Sequence, residues 1–223
     1  MQVTVFATEL ADQLRMACDQ VDGPRCPTRL IAPRYAGRAL DVSLATDSRI
    51  EALAAGLLLG ALFHIRSDDQ LVVSRYGKPA LADGSASINI SHGGSYCMLA
   101  VAPAEIGEIG LDVESVSTCS LAAALRVFPR HTVEWIEASS DPSVQSERFC
   151  RSWTRLEALL KAEGTGFEWD PRTDGLPSGW YVEQTLWNRH IVSVAARRPF
   201  MMKVTEVDPI DLFVRARRQR PSD

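Results

Sequence analysis

The sequence predicts an α+β fold with antiparallel sheets, arranged as two similar halves. Two long helical patterns occur along the chain, and each is accompanied by short strand-like runs. One such unit lies before about residue 107 and the other after it, so we expect halves spanning residues 1–107 and 108–223. No residue-level repeat relates them, so any duplication is one of structure only.

The first half opens with a strand signal at residues 3–6 and then shows no clear period until residue 46. Ser48 and Glu51 have the spacing of a capping box, which predicts the start of a helix. Apolar residues at helical spacing continue this helix to about Phe63. Strand-like runs separated by turn residues then follow at 71–73, 88–90, 96–101 and 109–113.

The second half begins with helical patterns. We predict helices at 121–128, 132–138 and 147–163 and adjoining strands at 180–186 and 190–196. Gly164 and Gly166 predict the end of the last helix. A run of arginines near the C-terminus predicts a solvated, partly disordered end; its members are Arg215, Arg217, Arg218 and Arg220.

Composition excludes several classes of function. The 223 residues carry a formal net charge of −4, which argues against general nucleic-acid binding. The most apolar stretch, residues 53–63, is too short to cross a bilayer, and the N-terminus lacks a secretory pattern. Five cysteines without a CxxC pair favour a reduced protein; they are Cys18, Cys26, Cys97, Cys119 and Cys150. We therefore expect a soluble, cytoplasmic protein without nucleic-acid or membrane partners.

Two acidic clusters carry the chemistry. Asp112 and Glu114 alternate with apolar residues, so both carboxylates share one face of a predicted strand. Glu157 and Lys161 lie four apart on a predicted helix and share a face. Each cluster has a plain alternative, a solvent-facing strand edge for the first and an exposed ion pair for the second. If the two elements meet, they form a site for a hard divalent cation and a phosphate-bearing substrate.

Two further motifs are weak by themselves. Ser91 and His92 precede a glycine-rich turn whose N–H groups could approach a phosphate. Lys78 lies in the turn at 76–79 and could be an ordinary turn lysine.

Four motifs together resemble those of 4'-phosphopantetheinyl transferases of the surfactin-synthetase-activating type. They occur in the family's order, at residues 76–79, 88–92, 109–114 and 153–161, the last followed by 163–166. The resemblance covers the middle of the chain, about residues 76–114 and 149–167. It implies two similar α+β halves with coenzyme A bound in the cleft between them, the first contacting coenzyme A and the second holding the metal.

The resemblance also implies an activity and its residues. The chain would transfer the 4'-phosphopantetheine arm of coenzyme A to a serine of an apo acyl or peptidyl carrier protein and release 3',5'-ADP, as a monomer. Asp112, Glu114 and Glu157 would be Mg²⁺ ligands, and Glu157 is also the candidate general base. Lys161 would neutralise developing phosphate charge, so Asp112, Glu157 and Lys161 form the expected catalytic set.

The remaining residue roles are implied in the same way. Lys78, Ser91, His92, Arg155 and Lys161 would contact coenzyme A. Arg126 and Arg130 are candidates for docking the carrier protein.

The chain departs from the family pattern at three places. The acid that usually follows a run like the one at 126–128 falls near Thr132, with Glu134 close by. Leu156 stands where a lysine usually contacts the coenzyme A phosphates, although Arg155 could substitute; Leu156 also continues an apolar stripe. Glu51 is the nearest match to an arginine that usually contacts the 3'-phosphate, and we interpret it as the capping-box acid. The alternatives are a homologue that binds coenzyme A or a carrier protein without transfer and, more distantly, a metal-dependent phosphohydrolase.

Overall fold

The computed structural model of this chain describes residues 1–19, 27–116, 121–165 and 170–218, with backbone only at 17–19 and 121. Within these ranges the chain forms nine strands and seven α-helices, so the predicted α+β class is confirmed. The strands are β1 (Gln2–Glu9), β2 (Leu71–Val73), β3 (Pro79–Leu81), β4 (Ala86–Gly93), β5 (Tyr96–Pro103), β6 (Ile109–Ser115), β7 (Tyr181–Trp187), β8 (His190–Ala196) and β9 (Met201–Glu206). The helices are α1 (Asp12–Asp19), α2 (Pro33–Leu40), α3 (Thr46–Phe63), α4 (Leu121–Val127), α5 (Arg130–Glu137), α6 (Pro142–Glu163) and α7 (Pro209–Arg218).

The strands form two main sheets and a small hairpin. One sheet has the order β4-β5-β1-β9, the second has the order β6-β8-β7, and β2 pairs with β3. All described pairs are antiparallel except β1 with β9, which are parallel. The expectation of antiparallel sheets is therefore wrong for β9, which returns to β1 only after the chain has built the second sheet, by the long crossover that parallel pairing requires.

The two sheets pack face to face between helical layers. Along β5, Cys97 and Leu99 pack into the core around α3, whereas Met98 and Ala100 pack against the three-stranded sheet. This alternation is what a strand buried on both faces requires. The far face of the three-stranded sheet is covered by α6, through contacts that include Ala195. The layers are therefore α3, four-stranded sheet, three-stranded sheet and α6.

The starts of the two long helices differ from the prediction. Helix α3 begins at Thr46 with Ala45 as its N-cap and without a capping side chain, so the predicted capping box of Ser48 and Glu51 is wrong. Most of α3 is buried, so packing sets its position more than capping does. Helix α6 begins at Pro142, because the Asp141 side chain accepts a hydrogen bond from the Ser143 N–H.

The arginine-rich end is helical as far as Arg218. Leu212 and Ala216 of α7 are buried in the same core as α3, so the prediction of a disordered end is wrong for this helix. Arg220 and Gly166 lie outside the described residues, as do Cys26, Cys119 and the Cys18 side chain. Cys97 and Cys150 are free thiols. No helix within the described ranges is long and apolar enough to cross a membrane.

Candidate active site

The edges of the two sheets meet at β4 and β6, and a buried asparagine joins them. The Asn89 side chain is 3% exposed, and its Oδ1 accepts a hydrogen bond of 2.8 Å from the Leu111 N–H. A side-chain amide thus satisfies a backbone donor at a buried edge. Sequence reasoning treated Asn89 only as part of a strand; a polar residue between two isoleucines was the available signal.

Two glycines permit the close approaches that build the site. A Cβ at Gly110 would lie 1.9 Å from the Ala158 carbonyl oxygen, so β6 can contact α6 only without a side chain there. A Cβ at Gly93 would lie 2.0 Å from the Val113 carbonyl oxygen, which brings β4 against β6 in the same way. These contacts place the side chains of three elements next to one another.

Asp112, Lys161 and Ser91 form a hydrogen-bonded triangle at this junction. Lys161 Nζ donates to Asp112 Oδ1 at 2.7 Å and to Ser91 Oγ at 3.0 Å, and the Ser91 hydroxyl donates to Asp112 Oδ1 at 3.0 Å. Asp112 is 4% exposed, so its interpretation as a residue of a solvent-facing edge is wrong, because α6 and β4 cover it. Lys161 forms its ion pair with Asp112 across elements.

The second oxygen of Asp112 is available for a further ligand. Oδ2 is buried and has no hydrogen-bond partner among the described residues. Buried polar atoms are normally paired, so an orphaned carboxylate oxygen beside a cleft is consistent with an external partner. Burial raises the pKa of Asp112, and the Lys161 ammonium opposes that shift.

Glu114 and Glu157 complete a set of three electrostatically coupled carboxyl groups. Burial, followed by the charges of Asp112 and Glu157, raises the pKa of Glu114 to about 7. Burial, followed by the charge of Asp112, also raises the pKa of Glu157. Burial is therefore the main reason that each group is protonated more readily than a free carboxyl group, and neighbouring carboxylates add to the shift for Glu114 and Glu157.

The donor chemistry suits Mg²⁺, although the three side chains do not surround one point. Carboxylates provide the hard oxygen ligands that Mg²⁺ prefers, and Asp112 Oδ2 lacks any other partner in the described structure. Among the residues that the structure describes, no three His, Cys, Asp or Glu side chains form a group that could hold a metal ion. The residue types therefore fit the metal, and ligation would require their side chains to turn toward each other.

A cleft leads away from this cluster. A pocket of about 210 Å³ is lined by Lys78, Asn89, Glu157 and Lys161, among other residues. Lys78 also forms an ion pair with Glu108. The structure thus brings Lys78 to the same pocket as the carboxylate–lysine cluster.

A second pocket, of about 440 Å³, shares lining residues with the first and has two arginines and one glutamate in its wall. Its wall includes His92, Arg34 and Arg38. Glu51 also lines it, and its Oε1 lies 3.1 Å from His92 Nδ1, so this carboxylate pairs with an imidazole rather than capping α3.

Sequence reasoning missed Arg34 and Arg38, although their spacing of four on α2 places both on one helix face.

The other predicted residues lie away from these pockets or serve the core. Arg155 is exposed on α6 and lines neither of the two pockets described above. Leu156 is 1% exposed and packs with Phe128 and Leu160, so its interpretation as part of an apolar stripe is confirmed. Arg130 is exposed and forms an ion pair with Glu134 at 2.7 Å.

A buried aspartate, two partly buried glutamates and a lysine beside a cleft that Lys78 also lines form the kind of site that can hold a divalent cation and bind phosphate groups. The family model for the 4'-phosphopantetheinyl transferase superfamily matches residues 108–198. The chain is 32% identical over 102 residues to the 4'-phosphopantetheinyl transferase Sfp of Bacillus subtilis, which covers 45% of this chain and 44% of Sfp. It is 31% identical over 140 residues to the 4'-phosphopantetheinyl transferase AcpT of Salmonella typhimurium, which covers 60% of this chain and 70% of AcpT.

A putative 4'-phosphopantetheinyl transferase of Haemophilus influenzae is 28% identical over 120 residues, half of each chain. The chain thus spans less than half the length of Sfp and about two thirds of AcpT. It belongs to the 4'-phosphopantetheinyl transferase superfamily, as the sequence motifs predicted.

Proposed function

We propose that this protein transfers the 4'-phosphopantetheine arm of coenzyme A to a serine hydroxyl of an apo carrier protein and releases 3',5'-ADP. The observation that carries the proposal is the buried Asp112–Lys161 pair, with Asp112 Oδ2 unpartnered within the described structure, at a basic cleft. Family membership supports the same reaction. Phosphoryl transfer depends chiefly on positioning and on neutralising charge, which are the properties of this cluster.

Asp112, Glu114 and Glu157 are the residues that would hold Mg²⁺. The metal, when bound, would neutralise the coenzyme A pyrophosphate and favour departure of the 3',5'-ADP oxygen. The raised pKa values of Glu114 and Glu157 support this role, because burial and the nearby Asp112 charge disfavour their ionised forms and a bound cation would favour them.

Lys161, Ser91 and Lys78 are proposed to contact the phosphates on the reacting side. Lys161 already bridges Asp112 and Ser91, so a phosphate entering the cleft would meet its ammonium beside the carboxylates. Lys78 lines the same pocket from the β2–β3 turn. Both side chains carry the positive charge that a developing phosphate anion requires.

The adenosine end of coenzyme A is proposed to occupy the larger basic pocket. His92 lines it with Arg34 and Arg38, and these two arginines supply the positive charge that Glu51 does not. The departure from the family pattern at Glu51 is thus offset by residues of a different helix. Arg155 is exposed and would serve only a phosphate reaching the outer rim.

Glu157 is proposed to accept the proton of the carrier serine. A serine hydroxyl is a weak nucleophile and needs a base positioned within hydrogen-bond reach. Burial raises the pKa of Glu157, which brings it closer to the range in which a carboxylate removes a proton effectively.

We also propose that the two halves, 1–107 and 108–223, are related by structural duplication. The support is that each main sheet carries one long helix, α3 of 18 residues and α6 of 22 residues. Strand β9 and helix α7 would then be an extension of the second half that packs on the first.

A carrier protein is proposed to dock near α4 and α5. Arg126 and Arg130 are both exposed there, and an acidic surface would be attracted to them. Reversing both charges should raise the Michaelis constant for the carrier and leave that for coenzyme A unchanged. An unchanged constant for the carrier would contradict this docking site.

The transferase is tested by intact-mass spectrometry of an apo carrier protein incubated with this protein, Mg²⁺ and coenzyme A. A gain of one phosphopantetheine mass, lost with Asp112→Ala, would support the reaction and its site. Asp211→Ala is the matched control, because Asp211 is an exposed acid in the first turn of α7 and lies outside the carboxylate cluster and both pockets. Absence of the gain across carriers of fatty-acid, polyketide and peptide synthesis would contradict the proposal.

A further inference from the structure

A buried chain of hydrogen bonds ties α6 to the three-stranded sheet, and no step of the proposed reaction uses it. Gln184 of β7 donates through Nε2 to Ser193 Oγ of β8 at 2.8 Å. The Ser193 hydroxyl donates to Thr154 Oγ1 of α6 at 2.7 Å, and the Thr154 hydroxyl donates to the Cys150 carbonyl oxygen at 2.9 Å. Thr154 and Ser193 are both 0% exposed.

Every side-chain N–H and O–H donor in this chain of hydrogen bonds has an acceptor. The two hydroxyl groups each donate one bond and accept one, and the second N–H of Gln184 donates to the Arg151 carbonyl oxygen at 2.9 Å. Buried polar networks stabilise one arrangement only when every member is satisfied in this way. Removing one hydroxyl would leave a buried donor without a partner.

This chain of hydrogen bonds lies directly beside the candidate active site. Ser193 is the cross-strand partner of Asp112 and of Gln184, so these three side chains form a row on the face of the sheet that α6 covers. Thr154 is three residues before Glu157 and seven before Lys161, which places all three along one side of α6.

The apolar part of this contact combines small and large side chains. Ala158, Ala162 and Ala195 lie beside the bare backbone of Gly110, and Leu159 with Trp180 and Val182 completes the cluster. Small side chains form shallow ridges, so they resist sliding and rotation of a helix less than large ones do. The hydrogen bonds, being directional, add the constraint that this small-residue part of the contact lacks.

We propose that Thr154, Ser193 and Gln184 are positioning residues that set the rotation and axial position of α6. They thereby hold Glu157 and Lys161 opposite Asp112, in the position from which the carboxylate side chains can turn to ligate the metal. The inference rests on the proposed function of this site, and it adds a role for residues that touch neither substrate nor metal.

The test is the affinity of the site for Mn²⁺, as a spectroscopic substitute for Mg²⁺, measured by electron paramagnetic resonance in the presence of coenzyme A and without a carrier. Thr154→Val keeps the shape of the side chain and removes its hydroxyl, and we expect it to weaken Mn²⁺ binding about 10-fold. Thr154→Ser retains the hydroxyl and should restore near wild-type affinity. Ser193→Ala, which should act like Thr154→Val, serves if the valine variant does not fold.

A control separates positioning from general stability. Ile65→Val shortens a buried side chain in the separate core around α3 and should lower the melting temperature without changing Mn²⁺ affinity. If Thr154→Val and Ser193→Ala lower the melting temperature as Ile65→Val does and leave Mn²⁺ affinity unchanged, the positioning role is overturned. Weakened affinity in both, with rescue by Thr154→Ser, supports it.

This measurement is independent of transfer. A wild-type protein that binds Mn²⁺ and coenzyme A but modifies no carrier would refute the proposed function, while the variants would still decide the positioning role. A wild-type protein that transfers normally, with variants of unchanged Mn²⁺ affinity, would refute the positioning role alone. Failure of the wild type to bind Mn²⁺ would contradict both.

Discussion

Replacing Lys161 with methionine should expose how much the Asp112–Lys161 pair contributes to stability. The Asp112 side chain is 5% exposed and the Lys161 side chain is 31% exposed. Removing one partner of a fully buried pair costs about 3–5 kcal/mol, because the remaining charge is left uncompensated. Since water reaches part of Lys161, we expect the free energy of unfolding to fall by about 2–3 kcal/mol in Lys161→Met.

A double-mutant cycle isolates the pair. Asp112→Asn leaves the Lys161 ammonium without its partner, but this ammonium can reach water, so the free energy of unfolding should fall by only about 1 kcal/mol. The double variant should also lose about 1 kcal/mol of the free energy of unfolding. The two changes would then be coupled by about 2–3 kcal/mol. Arg15→Met is a matched control, because it removes a cation from the Arg15–Asp47 pair, whose side chains are 45% and 72% exposed; it should cost less than about 0.5 kcal/mol.

The deficit of Lys161→Met should depend on pH in a defined direction. Burial raises the pKa of Asp112, and loss of the Lys161 ammonium, which opposes that shift, raises it further. A carboxyl group whose pKa is raised by folding does not lower the free energy of unfolding while it is protonated in both the folded and the unfolded state. Its destabilising effect grows as the pH rises from the unfolded-state pKa toward the folded-state pKa. The deficit should thus be smaller at about pH 4.5 than at about pH 7.5.

The assay is urea unfolding followed by circular dichroism at both pH values. A coupling free energy below about 0.5 kcal/mol would show that the pair is worth no more than an exposed surface pair and would contradict this prediction. So would a deficit that grows as the pH falls.

Three other predictions concern the metal site, the helix contact and the basic pocket. Burial and neighbouring charges raise the pKa of Glu114 to about 7. The affinity for Mg²⁺, measured by calorimetry, should therefore weaken about tenfold from pH 8 to pH 6. Glu114→Gln should remove this pH dependence of Mg²⁺ affinity. Gly110→Ala would place a Cβ 1.9 Å from the Ala158 carbonyl oxygen and should lower the melting temperature strongly or prevent folding, whereas Gly37→Ala, with nothing within 4 Å, should have little effect. Arg38→Ala should raise the Michaelis constant for coenzyme A about tenfold and that for dephospho-coenzyme A much less, with an unchanged melting temperature.

Each of these three expectations has a result that would contradict it. Equal Mg²⁺ affinity at both pH values would show that Glu114 does not ligate. Equal melting temperatures for Gly110→Ala and Gly37→Ala would show that β6 and α6 are not in backbone contact. Equal losses with coenzyme A and dephospho-coenzyme A would show that Arg38 does not contact the 3'-phosphate.

Local sequence patterns predicted the elements that carry the cluster. Alternation at 109–113 predicted β6, and helical spacing at 147–163 predicted most of α6. Asp112 and Lys161 were expected to come together if these elements met. In the structure Lys161 Nζ lies 2.7 Å from Asp112 Oδ1. Periodicity was sufficient here because both elements are long and strongly patterned.

Local sequence patterns could not predict the contacts between segments that are distant in the sequence. The hydrogen bond that the Leu111 N–H donates to Asn89 Oδ1 and the close approach of α6 at Gly110 arise only when two sheets and a helix pack together. The parallel pairing of β9 with β1 depends on a crossover that no local period records. Arg34 and Arg38 lie on a short helix whose segment lacks a clear apolar period, so their basic face was missed.

Transfer of phosphopantetheine to a carrier is tested most directly by a single-turnover reaction of this protein with coenzyme A, Mg²⁺ and a panel of apo carrier proteins. The mass of the carrier and the amount of 3',5'-ADP are measured in the same reaction. We predict one molecule of 3',5'-ADP for each phosphopantetheine added to a carrier, with both products absent for Asp112→Ala. Coenzyme A that binds without forming either product would favour a non-catalytic homologue and contradict the account, and 3',5'-ADP released without a modified carrier would indicate hydrolysis instead of transfer.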